Sequence, residues 1–194
     1  MSDKKIKLEE LKKECDKCCK CSLGNTRKNM VFADGNIDAE IFLIGEAPGA
    51  DEDNTGIPFV GRAGKLLTKL IEDVDLSRKN DFYIANTVKC RPPENRIPTD
   101  EEKILCEKYL LKQIEIVKPK VVVLCGATSA KSFLGNKIKI SAIRGNWYKI
   151  LNDIDATVIF HPSYLLRNHS EDKGSPRWLT KEDLKKIKDF ISKV

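Results

Sequence analysis

The chain has 194 residues, of which 41% are hydrophobic and 33% are charged, and its formal net charge is +6. This length suits a single domain, and the abundance of Val, Ile and Leu excludes wholesale disorder. No apolar run approaches the ~20 residues that span a bilayer, and residues 1–15 hold no apolar export signal. We therefore expect a cytoplasmic protein that does not associate with membranes.

Short, mostly apolar and β-branched runs recur along the chain and are typical of strands buried on both faces. They are residues 41–44, 83–88, 121–124 and 157–160. Helical patterns alternate with them; Thr99 and Glu102 form a predicted capping box for a helix that ends near Pro119, and Thr180 is the predicted cap of the last helix. This alternation predicts one three-layer α/β/α domain over residues 1–194, with a central four-stranded parallel sheet.

Chemically distinctive segments follow each predicted strand. They are GEAPGADED (45–53), KCRPPENR (89–96), CGATS (125–129) and HPSYLLRN (161–168). Ligands of open parallel sheets bind outside the carboxyl ends of the strands. The sequence therefore predicts a binding site at this edge of the sheet.

Seven cysteines in a chain without an export signal favour metal ligation over disulfides. Cys15, Cys18 and Cys21 lie three residues apart with Cys19 among them, and Cys90 and Cys106 follow later in the chain. Four cysteines hold either zinc or an iron–sulfur cluster, and their spacing alone leaves both open. Cys125 ends an otherwise apolar strand, so we expect a buried, non-ligating thiol there.

Several single residues have side chains suited to binding a nucleobase. Phe59 lies in a loop rich in glycine and proline and is able to stack on a planar base. Asn86 offers both a donor and an acceptor near the end of a strand, and His161 begins the turn after another. The positive net charge is compatible with a polyanionic partner, although a solvated lysine-rich surface explains it equally well.

Three motifs in the same order, GEAPGADED with TGIPFVGRAGKLL, NTVKCRPPENR and HPSYLLRN, resemble the family 4 uracil-DNA glycosylases. The resemblance extends from about Cys18 to the C-terminal helix. It implies a glycosylase that flips uracil out of DNA and hydrolyses its N-glycosidic bond. The products are free uracil and an abasic site, at which base excision repair begins.

The resemblance also implies a [4Fe–4S] cluster with a structural role. Its ligands map to Cys90, Cys106 and a C-x-x-C pair followed by x-Leu, which is Cys18 and Cys21 here. Cys15 and Cys19 lie nearby as alternatives. The cluster would join the N-terminal segment to the loop after the second strand.

The uracil pocket implied by the resemblance uses the backbone around Gly45 and Ala47, the ring of Phe59, the amide of Asn86 and the imidazole of His161. Phe59 would stack on the base, Asn86 would read its pyrimidine edge, and His161 would lie near O2. Leu165, Leu166 and Arg167 would enter the DNA as the base leaves the helix.

Water activation has less support from the motifs. A better-known glycosylase family has an aspartate in its first motif at the position that Ala47 occupies here. Glu46 is the nearest carboxylate, and we expect it to position water or stabilise the sugar cation. Asp51, Glu52 and Asp53 are the alternatives.

The competing interpretation is a catalytically inactive nucleic-acid-binding module that holds zinc or an iron–sulfur cluster. A weaker one is a related glycosylase group that acts on a wider set of damaged bases. The expected partner is uracil-containing DNA in the nucleoid, and nothing in the sequence demands more than a monomer.

Overall fold

A six-stranded sheet forms the centre of the structure, a computed structural model that describes residues 2–193. Its strands are β1 (Asp34–Gly35), β2 (Ile41–Gly45), β3 (Phe82–Asn86), β4 (Val121–Cys125), β5 (Trp147–Ile150) and β6 (Ile154–Ile159). Their spatial order is β1-β3-β2-β4-β6-β5. The four inner strands are parallel, and the two outer strands are antiparallel to their neighbours.

The predicted parallel sheet is confirmed as the four inner strands. Every residue of β2, β3 and β4 is buried, which explains why these strands read as continuous apolar runs. β6 begins at Ile154, before the predicted start, and the two edge strands were not predicted. β1 has only two residues, and β5 has one exposed face.

Helices cover both faces of the sheet, as the three-layer prediction requires. They are α1 (Asp3–Asp16), α2 (Leu23–Thr26), α3 (Ala50–Thr55), α4 (Arg62–Glu72), α5 (Arg78–Asp81), α6 (Asp100–Val117), α7 (Ala127–Leu134), α8 (Ile140–Ile143), α9 (Pro162–Leu165) and α10 (Pro176–Ile191), with a 3₁₀ turn at Pro93–Asn95. Phe42 and Ile44 of β2 share one core with α1, α6 and α7. Ile41 and Leu43 share the other core with α4, α9 and α10.

The ends of two helices test the capping predictions. At the start of α6, Thr99 accepts from the backbone N–H of Glu102, and the Glu102 carboxylate accepts from the N–H of Thr99. The predicted capping box is therefore confirmed. The prediction for Thr180 was wrong: α10 begins earlier, because Ser175 caps it and Pro176 occupies the first helical position, where proline needs no partner.

β2 lies between β3 on one side and β4 on the other. The connections between these parallel strands therefore lead to opposite sides of β2, and a crevice forms at its carboxyl end. Ligands of such sheets bind at this crevice. The register pairs Gly45 with Asn86 at the edge. Among residues 2–193, none of the helices has the length and apolar character that a membrane crossing requires.

Candidate functional site

A cavity of about 330 Å³ opens at the carboxyl edge of the sheet. This volume lies within the range usual for small-molecule sites. Among its lining residues are the predicted site residues Glu46, Ala47, Phe59, Asn86 and His161. Residues far apart in sequence meet here because the loops after β2, β3 and β6 leave the sheet at the same edge.

Gly45 lies beneath two of these side chains. A Cβ at this position would lie 2.4 Å from Oδ1 of Asn86 and 2.5 Å from Cζ of Phe59. Such distances leave no room for any side chain. The glycine therefore allows the amide and the ring to pack directly over the end of β2.

Asn86 is 2% exposed, and the oxygen of its side-chain amide is an acceptor in an unusual environment. Its Oδ1 is the one buried side-chain nitrogen or oxygen without a hydrogen-bond partner in the part of the chain that the structure describes. A buried polar group without a partner destabilises the fold, so native proteins rarely retain one without a role. This oxygen is suited to accept a hydrogen bond from a ligand in the cavity.

The loop that carries Phe59 is fixed by Arg78, the first residue of α5. The Arg78 guanidinium donates to the carbonyl oxygens of Pro58 and Phe59, each at 2.6 Å, and to Oδ2 of Asp34 at 3.1 Å. Phe59 has φ of 53°, in the left-handed region that a bulky residue seldom adopts. Arg78 thus stabilises a strained backbone that directs the ring to the cavity, and no sequence motif marked it.

Glu46 is held at the cavity by α7. The hydroxyl of Thr128 donates to its Oε2, and its backbone oxygen accepts from the hydroxyl of Thr87 at 2.5 Å. The Glu46 side chain is half-buried. The carboxylate therefore lies at the cavity with one oxygen anchored.

Two of the three alternative carboxylates for water activation have other partners. Glu52 accepts from the backbone N–H groups of Gly49, Val60 and Gly61 at 2.9 to 3.0 Å. Asp53 is buried and accepts from the N–H of Lys28 at 2.9 Å. These carboxylates stabilise the loops around the cavity, whereas Asp51 is exposed.

His161 caps the N-terminus of α9 with its ring. Its Nδ1 accepts from the backbone N–H of Ser163 at 3.2 Å. Burial and, as a smaller cause, the charge of Arg167 lower the pKa of His161 to about 4, and Glu52 opposes the shift. The imidazole is therefore neutral near pH 7, and since Nδ1 is an acceptor, Nε2 carries the proton. Its ring centroid lies 5.9 Å from that of Phe59.

A second cavity is lined by cysteines. Five of the seven line it, and they are Cys15, Cys18, Cys21, Cys90 and Cys106. Cys19 is exposed and is not among its lining residues, while Cys125 is buried in the core as predicted. The structure thus brings together the four predicted ligands, with Cys15 as a fifth thiol.

The chain is similar to known proteins over most of its length. The sequence profile of the uracil DNA glycosylase superfamily matches residues 32–186. A type-4 uracil-DNA glycosylase of Thermotoga maritima is 46% identical over 187 residues, which cover 96% of this chain and 95% of that protein. The chain belongs to the type-4 uracil-DNA glycosylases. Two further type-4 enzymes, from Saccharolobus solfataricus and Sulfurisphaera tokodaii, are each 40% identical over 95% and 94% of this chain and 87% and 84% of their own lengths.

The cysteine cavity of this type-4 family member has a volume of about 20 Å³ and is lined by thiols. Within residues 2–193, no three His, Cys, Asp or Glu side chains converge closely enough to hold a single ion. Burial raises the pKa of Cys106 to about 11 and that of Cys15 to about 12. A cationic group must therefore bind before these thiols ionise near neutral pH. The donor set consists of thiols, which iron–sulfur clusters require.

One predicted DNA contact was wrong. Leu165 is fully buried and packs in the core with α4 and α10, so it is not free to enter a duplex. Leu166 is half-buried and Arg167 is exposed, as is the neighbouring Tyr164. A pair of leucines has the same composition whether one or both pack inward, so composition alone does not predict the burial of Leu165.

The segment after Cys90 also lines the first cavity, which sequence reasoning did not assign. Pro92, Asn95 and Arg96 belong to its walls. Arg96 donates to both carboxylate oxygens of Glu102 at 2.6 and 2.8 Å, and this holds the pKa of Glu102 at about 2. The quoted KCRPPENR motif contains these residues, so the signal was present without an assigned role.

Proposed function

We propose that this protein is a uracil-DNA glycosylase that hydrolyses the N-glycosidic bond of an extruded uracil. The observation that carries the proposal is the unpartnered, buried Oδ1 of Asn86 at a cavity that Glu46, Phe59 and His161 also line. The family membership of the chain supports it. The reaction releases uracil and leaves an abasic site, at which base excision repair begins.

Asn86 would distinguish uracil from cytosine. Its Oδ1 accepts from N3–H of uracil, while its amide nitrogen donates to O4. Cytosine has an acceptor at N3 and a donor at C4, so both contacts would become repulsive. Phe59 stacks on the ring, and the backbone of Gly45 to Ala47 borders the base.

His161 would stabilise the leaving group. As the C1′–N1 bond breaks, its electron pair moves onto uracil, and negative charge develops on O2. The neutral imidazole donates its Nε2–H to this oxygen without giving up the proton, which follows the logic of an oxyanion hole. Free uracil takes its proton from solvent.

Glu46 would position the attacking water. Its anchored carboxylate accepts a hydrogen bond from the water, stabilises the oxocarbenium character of the sugar, and takes a proton as water oxygen bonds to C1′. The contact from Thr128 fixes its orientation. Because Glu46 is half-buried, its carboxylate lies at the cavity and still keeps part of its contact with solvent.

The substrate base must leave the helix, at a cost of a few kcal/mol. Leu166 and Arg167 lie on the loop after His161. Arg167 would meet a phosphate, and Leu166 would occupy the gap in the stack. The proposed substrate is uracil-containing DNA of the nucleoid in the cytoplasm, on which the protein would act as a monomer.

Cys18, Cys21, Cys90 and Cys106 would hold a [4Fe–4S] cluster. When bound, the cluster supplies a structural cross-link rather than redox chemistry. These cysteines lie after α1, after β3 and within α6, so the link would join the N-terminal segment to the rest of a single domain of residues 1–194.

A labelled oligonucleotide that carries one uracil tests the proposal, beside matched strands with thymine or cytosine. The strands are treated with alkali after incubation, because an abasic site then breaks. Cleavage confined to the uracil strand is expected. A folded, iron-containing protein that cleaves none of the strands would instead be a nucleic-acid-binding module.

A further inference from the structure

Lys89 is a buried lysine that the mechanism above does not use. It is 1% exposed. In the part of the chain that the structure describes, no carboxylate forms an ion pair with it; its Nζ donates to Oε1 of Gln113 at 2.6 Å and to the backbone oxygen of Asn86 at 3.0 Å. A buried ammonium group without a counter-charge is strongly unfavourable, so Lys89 retains its charge only where an anion lies nearby.

The cysteine cavity offers such an anion a place beside Lys89. Lys89 lines the cysteine cavity together with Cys15, Cys90 and Cys106. An iron–sulfur cluster with four thiolate ligands has a net negative charge, which would complete the pairing. Arg27 lies against the same cavity and donates to Sγ of Cys90 at 3.2 Å.

The other contact of Lys89 leads to the uracil pocket. Asn86, whose carbonyl oxygen it holds, is the residue with the unpartnered Oδ1. Gln113 is itself fixed, because its Nε2 donates to the backbone oxygen of Phe32 at 3.1 Å and to the hydroxyl of Tyr83 at 3.3 Å. Lys89 therefore connects the two cavities by hydrogen bonds between fully buried groups.

We propose that Lys89 is a positioning residue that serves as the buried counter-charge of the cysteine-held cluster and holds the Asn86 peptide in place for uracil recognition. This inference rests on the proposed function, since it needs both the cluster and the reading of uracil by Asn86. It gives the cluster a consequence beyond a cross-link. Loss of the cluster would leave Lys89 uncompensated and would disturb the amide that selects the base.

The test compares the purified, cluster-containing wild type with Lys89→Met, which keeps the length of the side chain and removes its charge. Lys120→Met is the matched control, because Lys120 pairs with Glu40 just before β4, at the opposite edge of the sheet. Arg27→Gln, which removes another cationic side chain at the cavity, gives a reference for the size of an electrostatic effect. The readouts are the reduction potential of the cluster, the rate of iron release to a chelator, and the ratio of single-turnover rates on uracil and cytosine strands.

Lys89→Met should shift the potential to more negative values, because a nearby cation favours the more negative, reduced cluster. Iron release should accelerate about 10-fold or more, as is usual when a partner of a metal site is lost, and the uracil preference should fall. Lys120→Met should match wild type in all three. A merely structural lysine would leave the potential unchanged, and that result, or a shifted potential with an unchanged base preference, overturns the inference.

Gln113→Glu provides a second variant that retains Lys89. The new carboxylate would neutralise Lys89 at hydrogen-bond distance, so the potential should shift in the same direction; an unchanged potential contradicts the counter-charge. The wild-type arm separates this inference from the proposed function. Wild type without iron, or without excision of uracil, refutes the proposed function itself and with it the role of Lys89.

Discussion

The two cavities of this protein differ in the groups that line them. In the pocket at the edge of the sheet, several polar groups have protein partners: Thr128 anchors Glu46, and Ser163 holds the ring of His161. Among residues 2–193, Oδ1 of Asn86 is the one buried side-chain nitrogen or oxygen without a partner. The cysteine cavity is lined by five thiols and the buried Lys89, and no carboxylate is among its lining residues in the part of the chain that the structure describes.

This difference indicates two kinds of ligand. A pocket that is held in shape by the protein can bind and release a transient ligand without paying for reorganisation at each turnover. A cavity lined by buried thiols and a lysine is suited to a group that stays bound. The following predictions are ways to break one cavity while sparing the other.

The largest effect is expected from Cys106→Ser, which replaces a thiol that lines the cysteine cavity. A serine hydroxyl is a poor ligand for iron, so the variant should lose most of the visible absorbance of the cluster and melt at a lower temperature. Absorbance spectra, iron analysis and thermal melts measure this. Cys19→Ser is the control, since Cys19 is exposed and outside the cavity, and it should resemble wild type. Equal iron loss in both variants would contradict the assignment.

Glu46→Gln breaks the pocket and leaves the cysteine cavity intact. Removing the carboxylate that positions water should lower the single-turnover rate by about 10²- to 10⁴-fold, the range of general-base catalysis. Affinity for uracil-containing DNA, measured by anisotropy, should change little. Asp51→Asn removes an exposed charge nearby and should have no comparable effect. A Glu46→Gln enzyme with the wild-type rate would remove Glu46 from the mechanism.

Arg78→Gln tests the support of the Phe59 loop. Losing the two contacts to the carbonyl oxygens of Pro58 and Phe59 should misplace the ring and reduce the single-turnover rate by about 10- to 100-fold. Arg78→Lys should restore only part of the rate, because an ammonium group lacks the planar fork that reaches both oxygens. The neighbouring exposed Lys79, changed to Gln, is the control. Full activity of Arg78→Gln would show that the loop holds without it.

The smallest effect concerns pH. Since burial lowers the pKa of His161 from 6.5 to about 4, the rate of excision should show no step near pH 6.5. The unfolded chain takes up a proton there and the folded chain does not, so the free energy of unfolding should fall as the pH decreases from about 6.5 to about 4. Urea denaturation at several pH values measures this, and His161→Gln should flatten it. A rate step near pH 6.5 that His161→Gln abolishes would show that His161 titrates normally.

Much of the fold could be predicted from the sequence, because its central strands are buried on both faces. The edge strands could not: Asp34–Gly35 has no apolar pattern, and Trp147–Ile150 is mostly exposed or half-buried. The error at Thr180 arose because Ser175 and Pro176 supply a stronger start signal five residues earlier. The local sequence pattern therefore predicted which helices and strands form better than it predicted where they begin and end.

The candidate site divides in the same way. Glu46, Phe59, Asn86 and His161 follow strands or lie in a motif-bearing loop, so sequence reasoning could find them. Sequence reasoning assigned no role to Arg78, Thr128 or Lys89, although the last two lie in the quoted segments CGATS and KCRPPENR. All three act through contacts with residues distant in sequence or with backbone atoms, which a motif does not reveal. The burial of Leu165 likewise depends on packing against α4 and α10.

Reading of uracil by Asn86 is the central claim, and single-turnover excision by wild type and Asn86→Ala tests it most directly. The substrates are two strands that differ only by uracil or cytosine at one position. Wild type should favour uracil by about 10⁴-fold or more, the selectivity of a site built to hydrogen-bond its substrate. Asn86→Ala should excise uracil about 10²- to 10³-fold more slowly, with most of that preference lost. A variant that keeps both the wild-type rate and the rejection of cytosine would contradict the account.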